Sequence, residues 1–314
     1  MKNYNVNCLN IAYIFKASVS SINGSWTEGN VSTIKKITLP NGKQLPYVSG
    51  QSLKYQIRRY WQEQGLPLSE QQKAEKSKGV EFTMGNPFNF IDDDLLGYMI
   101  ASKGENRRRT AVVRISPAIG QFEFQGDRDL GTKSKEGTGK DMSEGGNIFE
   151  TELSYNYYKV NMLIELDRAG NFTSQEAGNN KVENIAKEER IKRLEYLLDA
   201  VKYSWGGGKQ SRLLTDMSPK FVALTFQTVK SPIFMESLNI SDELELDTDT
   251  INEVLKDNKS IISKSIIGLR KGIFNNDVSA GLELSANKPE QSAKIQSVDE
   301  AFKQAKEHLK ELSW

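Results

Sequence analysis

PYVSGQSLKYQIRR, residues 46–59, is where the pattern of the chain changes, and the fold turns on how it is read. From Gln51 onward Leu53, Ile57, Tyr60 and Trp61 recur at spacings of four and three, which gives a helix one apolar face. Ser49 is placed to cap that helix, and Pro46 keeps it from starting earlier. Upstream, residues 5–19 (NVNCLNIAYIFKASV) alternate as a buried strand. The intervening residues 18–48 read as a loop, with turn signals at Asn23-Gly24, Glu28-Gly29-Asn30 and Pro40-Asn41-Gly42.

Downstream, residues 64–110 have the polar, lysine-rich character of an insertion, with a turn at Gly85-Asn86-Pro87-Phe88 and a short helix over DDDLLGYMIAS (92–102). Strand character returns in RTAVVRISPAIGQFEF (109–124). The next 22 residues (126–147) contain six glycines and almost no apolar side chains, as in a flexible loop or a long hairpin tip. YNYYKVNMLIELDRAG (155–170) is a second clear strand, with Val160, Met162, Ile164 and Leu166 on one face. A helix follows on Ile191, Leu194, Leu198 and Val201, then the glycine loop WGGGKQSR (205–212) and a strand from Pro219 to Val229. Reduced to elements the core is β-α-β-β-α-β, the order of an α+β, RRM-like (ferredoxin-like) sandwich with large inserted loops.

Composition bounds the chemistry. The chain of 314 residues is 37% hydrophobic and 26% charged, with no run of eighteen apolar residues, so a globular class without a membrane span is expected. The N-terminus breaks its apolar stretch with asparagines and reads as the first strand, not a signal peptide. Cys8, the single cysteine, has no disulfide partner and suggests a reducing cytoplasm. Thiolate and imidazole clusters for zinc cannot be assembled, so no metal or cofactor is expected. Any histidine relay would need His308, which reads as a solvated residue on a helix whose stripe is Phe302, Ala305, Leu309 and Leu312.

Net charge is only +1, but the charges are segregated. Between Glu28 and Glu63 lie Lys35, Lys36, Lys43, Lys54, Arg58 and Arg59 and no acid. Residues 103–114 carry Lys103, Arg107, Arg108, Arg109 and Arg114 against Glu105, whereas 236–258 hold eight acids against Lys256. Such a chain suits a polyanion on one face. Gln51, Lys54 and Arg58 share one face of the helix after Ser49, where free N–H groups and the dipole favour a phosphate. Gly208, Lys209, Gln210 and Arg212 lie in the glycine loop. A Walker motif would need glycine at Tyr203 and a hydroxyl at Gln210, so the loop is either a phosphate nest or a helix C-cap. The glycine-aromatic string of a base-stacking RRM is missing, so Tyr155, Tyr157 and Tyr158 read as core or inter-subunit contacts.

Four segments together resemble one family, the CRISPR-associated Cascade backbone subunits, most closely the DevR type of type I-B systems. PYVSGQSLKYQIRR resembles its strand-to-helix signature, and DDDLLGYMIAS its aspartate-leucine-glycine-methionine helix, with Tyr98 where arginine is common. VRISPAIGQFEF resembles the strand entering the thumb, and GGGKQSRLLTDMSPKFVAL the glycine-lysine-glutamine loop before the last palm strand. The resemblance covers residues from about 5 to 230 and leaves 236–314, an acidic segment with C-terminal helices, without an anchor. It implies a single hand-shaped domain with an RRM-like palm, fingers at 64–110 and a thumb hairpin at 118–154. It also implies a non-catalytic subunit that polymerises head-to-tail along CRISPR RNA beside large, small and RNA-end-capping subunits, presenting the guide to a target DNA strand. Ser49, Gln51, Lys54 and Arg58, Lys35 or Lys36, and Lys209 with Gln210 would hold the RNA backbone. Related type III subunits are ribonucleases with a catalytic aspartate in the first loop; here residues 18–48 hold Glu28 as their only acid. No helix-turn-helix supports a transcriptional regulator.

Overall fold

The computed structural model describes residues 6–70, 72–73, 81–102, 105–133, 147–177, 184–282 and 295–313. Its central strand is β1 (Cys8–Ser20), thirteen residues long. β14 (Ser154–Glu165) and β17 (Pro219–Gln227) flank it, both antiparallel, with Ile11 opposite Met162 on one side and Leu224 on the other. Beyond β14 come β10 (Val113–Ile115) and β11 (Ala118–Gly120), then β5 (Gln44–Val48) and β4 (Lys36–Thr38). Beyond β17 lies β18 (Ile262–Leu269). Every pairing in this eight-stranded sheet is antiparallel, so the architecture is mixed α+β. Pro117 has no N–H to donate and falls between β10 and β11, where the predicted single strand is broken.

Alternation in β1 sends successive side chains to opposite faces. Leu9, Ile11, Tyr13, Phe15 and Ala17 pack with Tyr158, Val160, Met162 and Ile164 beneath α1 (Gly50–Glu63), α4 (Lys187–Lys202) and α7 (Val298–Glu311). Leu53, Ile57 and Trp61 are the buried stripe of α1. Ala12, Ile14, Tyr157, Phe221 and Ala223 point to the other face, which the chain from 233 to 282 covers with Phe234, Leu238, Leu246, Ile251 and Phe274. The acidic stretch of the sequence is therefore a lid on the sheet, and α5 (Thr248–Asp257) within it starts at Asp247, whose carboxylate accepts from the Thr250 N–H at 3.0 Å. Tyr157 and Tyr158 are core residues, while Tyr155 stays exposed.

A second sheet of four strands stands on the β1 end, in the order β12 (Arg128–Lys133), β13 (Asn147–Glu152), β3 (Val31–Ile34), β2 (Gly24–Glu28). The region expected to be a loop at 18–48 thus holds four short strands. Its turns are where the sequence puts them, with Gly29 and Gly42 at φ of +62° and +85°. The glycine-rich tip at 134–146 lies outside the described residues. Short pairs complete the insertion and the glycine loop: β6 (Gln72–Lys73) with β7 (Glu81–Phe82), β8 (Tyr98–Ser102) with β9 (Glu105–Arg109), and β15 (Trp205–Gly206) with β16 (Thr215–Asp216). The remaining short helices are α2 (Ile91–Leu95), α3 (Ser174–Ala177) and α6 (Val278–Gly281).

Two expectations are corrected. The helix read over 92–102 ends at Leu95, and Tyr98–Ser102 is the strand β8. Gly97, at φ +76°, makes the turn, and a Cβ there would lie 2.5 Å from the Arg109 carbonyl oxygen. His308 is not a solvated residue: its ring meets the edge of Phe226 at 4.6 Å and bonds the Glu311 carboxylate at 2.8 Å, and burial lowers its pKa.

Candidate nucleic-acid interface

Helix α1 begins as the sequence requires. Ser49 is extended, its hydroxyl accepts from the Ser52 N–H at 3.3 Å, and its own N–H donates to the Asn23 side chain at 3.0 Å. Gly50 lies so close to the Ile115 carbonyl that a Cβ would be 2.9 Å away. The first turn carries no acid, so the positive end of the dipole is unopposed locally. Gln51 is exposed on that turn. One turn deeper, Lys54 is half-buried, and burial alone lowers its pKa. Among the described residues no carboxylate pairs with it.

The other cations of the segment have partners. Arg58 gives its Nε to Asp92 at 3.0 Å and its Nη2 to the Ser69 carbonyl at 2.6 Å, so it ties α1 to the 64–110 insertion. Arg59 bonds the Gln210 side chain at 3.0 Å and the Trp205 carbonyl at 2.8 Å, lies 3.3 Å from Glu63, and stacks 3.9 Å over the Trp205 ring. Lys36 meets Glu152 at 2.6 Å, which also accepts the Ile34 N–H, and lies over Phe124. Lys35 is half-exposed with no ion pair among the described residues.

The glycine loop is held against α1 and β1. Gly206 sits where a Cβ would be 2.7 Å from the Gln56 amide, and the Gly208 N–H donates to the Ser21 carbonyl at 2.8 Å. Helix α4 ends at Lys202 with Tyr203 as its cap, so the glycines lie beyond it and the C-cap reading falls. Lys209 has a left-handed backbone, φ +52°, and its ammonium reaches the hydroxyls of Ser32 on β3 and Thr151 on β13. Its pKa is lowered by burial and by Arg212. Both Lys209 and Arg212 lie over the Phe149 ring, at 5.3 and 5.2 Å, and Arg212 is 3.6 Å from Asp129. Gln210 donates to the Gly207 carbonyl at 3.1 Å.

Thus the contacts of Arg59 with Gln210 and Trp205, and of Gln56 with Gly206, make neighbours of α1, whose start carries Ser49, Gln51 and Lys54, and the loop that carries Gly208, Lys209, Gln210 and Arg212. The run Arg107-Arg108-Arg109 does not act as a patch. Arg109 is 2% exposed, and its guanidinium meets Asp94 at 2.8 Å and Glu176 at 3.1 Å, which removes it as a nucleic-acid contact. Arg107 bonds the Gly85 carbonyl at 2.9 Å, and Arg108 is exposed. Asn23, Phe149, Thr151 and Trp205 were not read as site residues. Only Trp205, directly before three glycines, gave a signal that could have been followed.

Comparison with known proteins bears on the family and fold of the chain. A family model described as CRISPR-associated negative auto-regulator DevR/Csa2 matches residues 11–247. The chain belongs to this DevR/Csa2 family. A relative from Myxococcus xanthus (strain DK1622), CRISPR-associated protein Cas7/Cst2/DevR, is 26% identical over 169 residues, 49% of this chain and 56% of that protein. The match therefore spans about half of the relative's length. Among solved structures, a chain of a CRISPR RNA-guided surveillance complex, pre-nicking, superposes with a TM-score of 0.61 at 13% identity, covering 95% of this chain and all of that one. A chain of another CRISPR RNA-guided surveillance complex gives 0.56 at 16% identity, covering 95% and 99%. At these identities the likeness is one of fold. Among the described residues of this DevR/Csa2 chain, no three His, Cys, Asp or Glu side chains gather as a metal site, and no helix is long and apolar enough to cross a membrane.

Proposed function

We propose that this DevR/Csa2 protein is a non-catalytic backbone subunit of a type I CRISPR surveillance complex. Copies add head-to-tail along the spacer of a CRISPR RNA and present its bases to a target DNA strand. The strand order β17-β1-β14-β10/β11 serves as the RRM-like palm, residues 64–110 as fingers and 118–154 as thumb. One observation carries the reading: Lys54 is half-buried with no carboxylate paired to it among the described residues, and the Lys209 ammonium is held by the Ser32 and Thr151 hydroxyls, with Asp129 acting on it at a distance and not as an ion pair. An ammonium held out of water without a counter-charge gains most from a phosphate. Lys35, Ser49, Gln51 and Gly208 extend the same track, while Arg58, Arg59 and Lys36 fix the elements that bear it. Contacts of this kind position a strand without reading its sequence.

The test is purification with the partners encoded beside it, followed by binding at several salt concentrations. A CRISPR RNA of defined length should accompany an excess of this chain. Lys54→Ala with Lys209→Ala should flatten the log–log salt slope by about 0.7 for each phosphate that is no longer neutralised. Assemblies free of RNA, or a slope the double variant leaves unchanged, would refute the proposal.

A further inference from the structure

Beside the loop lies a cavity of about 490 Å³ that the backbone grip does not use. Its walls include Tyr203, Trp205, Leu214, Thr215, Ser218 and Arg270. Three large side chains there are left to solvent: Leu214 is 75% exposed, Tyr203 52% and Trp205 37%. Two of them, Trp205 and Tyr203, are held in place. The Trp205 ring is backed by the Arg59 guanidinium at 3.9 Å, itself fixed by Gln210 and by the Trp205 carbonyl. Tyr203 is stacked on Tyr60 of α1, with ring centroids 6.3 Å apart. The rim cation Lys202 is satisfied by Asp299, whereas exposed Arg270 has no ion pair among the described residues.

We infer that this cavity receives a nucleobase of the same single strand whose phosphates Lys54 and Lys209 hold. The inference rests on that proposed grip and adds a site to it. A fixed indole with a guanidinium behind it offers a flat π surface, and base–aromatic stacking tolerates any base. Trp205 and Lys209 are four residues apart, at most about 14 Å of extended chain, so a phosphate at one and a base at the other belong to one short stretch of strand. The Ser204 hydroxyl can donate or accept and the Ser218 hydroxyl, which accepts from Lys220, keeps its own proton to donate, which suits a base edge without selecting one.

The full-length protein is titrated with an oligoadenylate of about twelve nucleotides and with an abasic ribose-phosphate strand of equal length. The base-bearing strand should bind about tenfold tighter. That preference should vanish in Trp205→Ala, survive in Trp205→Phe, and weaken in Leu214→Glu, whose exposed position leaves folding alone. Equal binding of the two strands, or a Trp205→Ala loss that is the same for both, overturns the base site while leaving the grip standing. A Trp205→Ala effect only on the number of copies per RNA also overturns it, since the occupant is then a side chain of a second copy. Failure of both strands to bind, with Lys54→Ala and Lys209→Ala without effect, overturns the grip and the base site together.

Discussion

Lys54 and Arg109 carry the same charge and come from equally basic stretches, yet their surroundings give them opposite roles. Arg109 is enclosed by Asp94, Glu176 and three carbonyl oxygens, so its charge is satisfied inside the fold. Lys54 is half-buried with no carboxylate opposite it among the described residues, so its charge is a cost to the fold that, on the proposed reading, a phosphate offsets. Lys54→Met should therefore leave thermal stability unchanged or raised while weakening RNA binding. The pH dependence carries the same sign. Lys54 loses its proton more readily folded than unfolded, so below its folded pKa the native state bears the full penalty. Stability should rise as pH climbs from that folded pKa toward the ordinary lysine value. The variant should flatten this rise in thermal melts taken across the alkaline range, and an unchanged profile would mean that Lys54 is not the group responsible. The sequence showed which residues are basic and that acids are missing nearby in the chain. It could not show that Asp92, 34 positions from Arg58, would neutralise that residue and not Lys54.

At the level of the element, α2 shows how three adjacent carboxylates can be buried at once. Asp92 bonds Arg58, and Asp94 bonds both Arg109 and Arg193. Asp93 faces the Asn86 N–H at 2.8 Å and has no basic partner among the described residues, and burial raises its pKa. Asp94→Asn should cost about 3–5 kcal/mol in urea unfolding, because it leaves buried guanidinium groups unpaired. Asp93→Asn keeps an acceptor for Asn86 and should be neutral or stabilising at pH 7. Since Asp93 holds its proton more tightly in the fold, stability falls as pH rises from its unfolded value through its folded one, and the asparagine should remove that fall. Gly97, which ends this helix, is a separate case. Gly97→Ala must accept a positive φ and a contact with the Arg109 backbone, and should cost at least about 1–2 kcal/mol. The hydrophobic period made α1, α4 and α7 legible because each is long and one-sided. It failed for 92–102, where a five-residue helix and a five-residue strand share an apolar run and a single glycine divides them.

The whole molecule raises the question of whether the C-terminal third is a separate module, because the family match stops at 247 and the sequence offered no anchor beyond 236. The packing answers that it is part of the core. Phe302, Ala305 and Leu309 of α7 sit in the cluster under β1, and β18 extends the main sheet beside β17. Phe234, Leu238 and Ile251 close the opposite face over Ile14, Tyr157 and Phe221. That cover closes this face of the sheet, so the proposed nucleic-acid track lies at the β1 end and the glycine loop. Both halves of this arrangement follow from one strand, since β1 is apolar on both faces and must be covered twice. Phe234→Ala and Phe302→Ala each remove a fully buried ring, one on each face, and should each cost about 3–5 kcal/mol. If the chain is one cooperative unit, each variant shifts the whole unfolding curve without splitting it, and fluorescence and circular dichroism coincide. If residues beyond 236 were an appended module, Phe302→Ala would produce an early, separate transition and leave the rest of the curve in place. A single displaced transition requires that the lid and the main sheet fold together, and that no truncation near residue 230 yields a stable fragment.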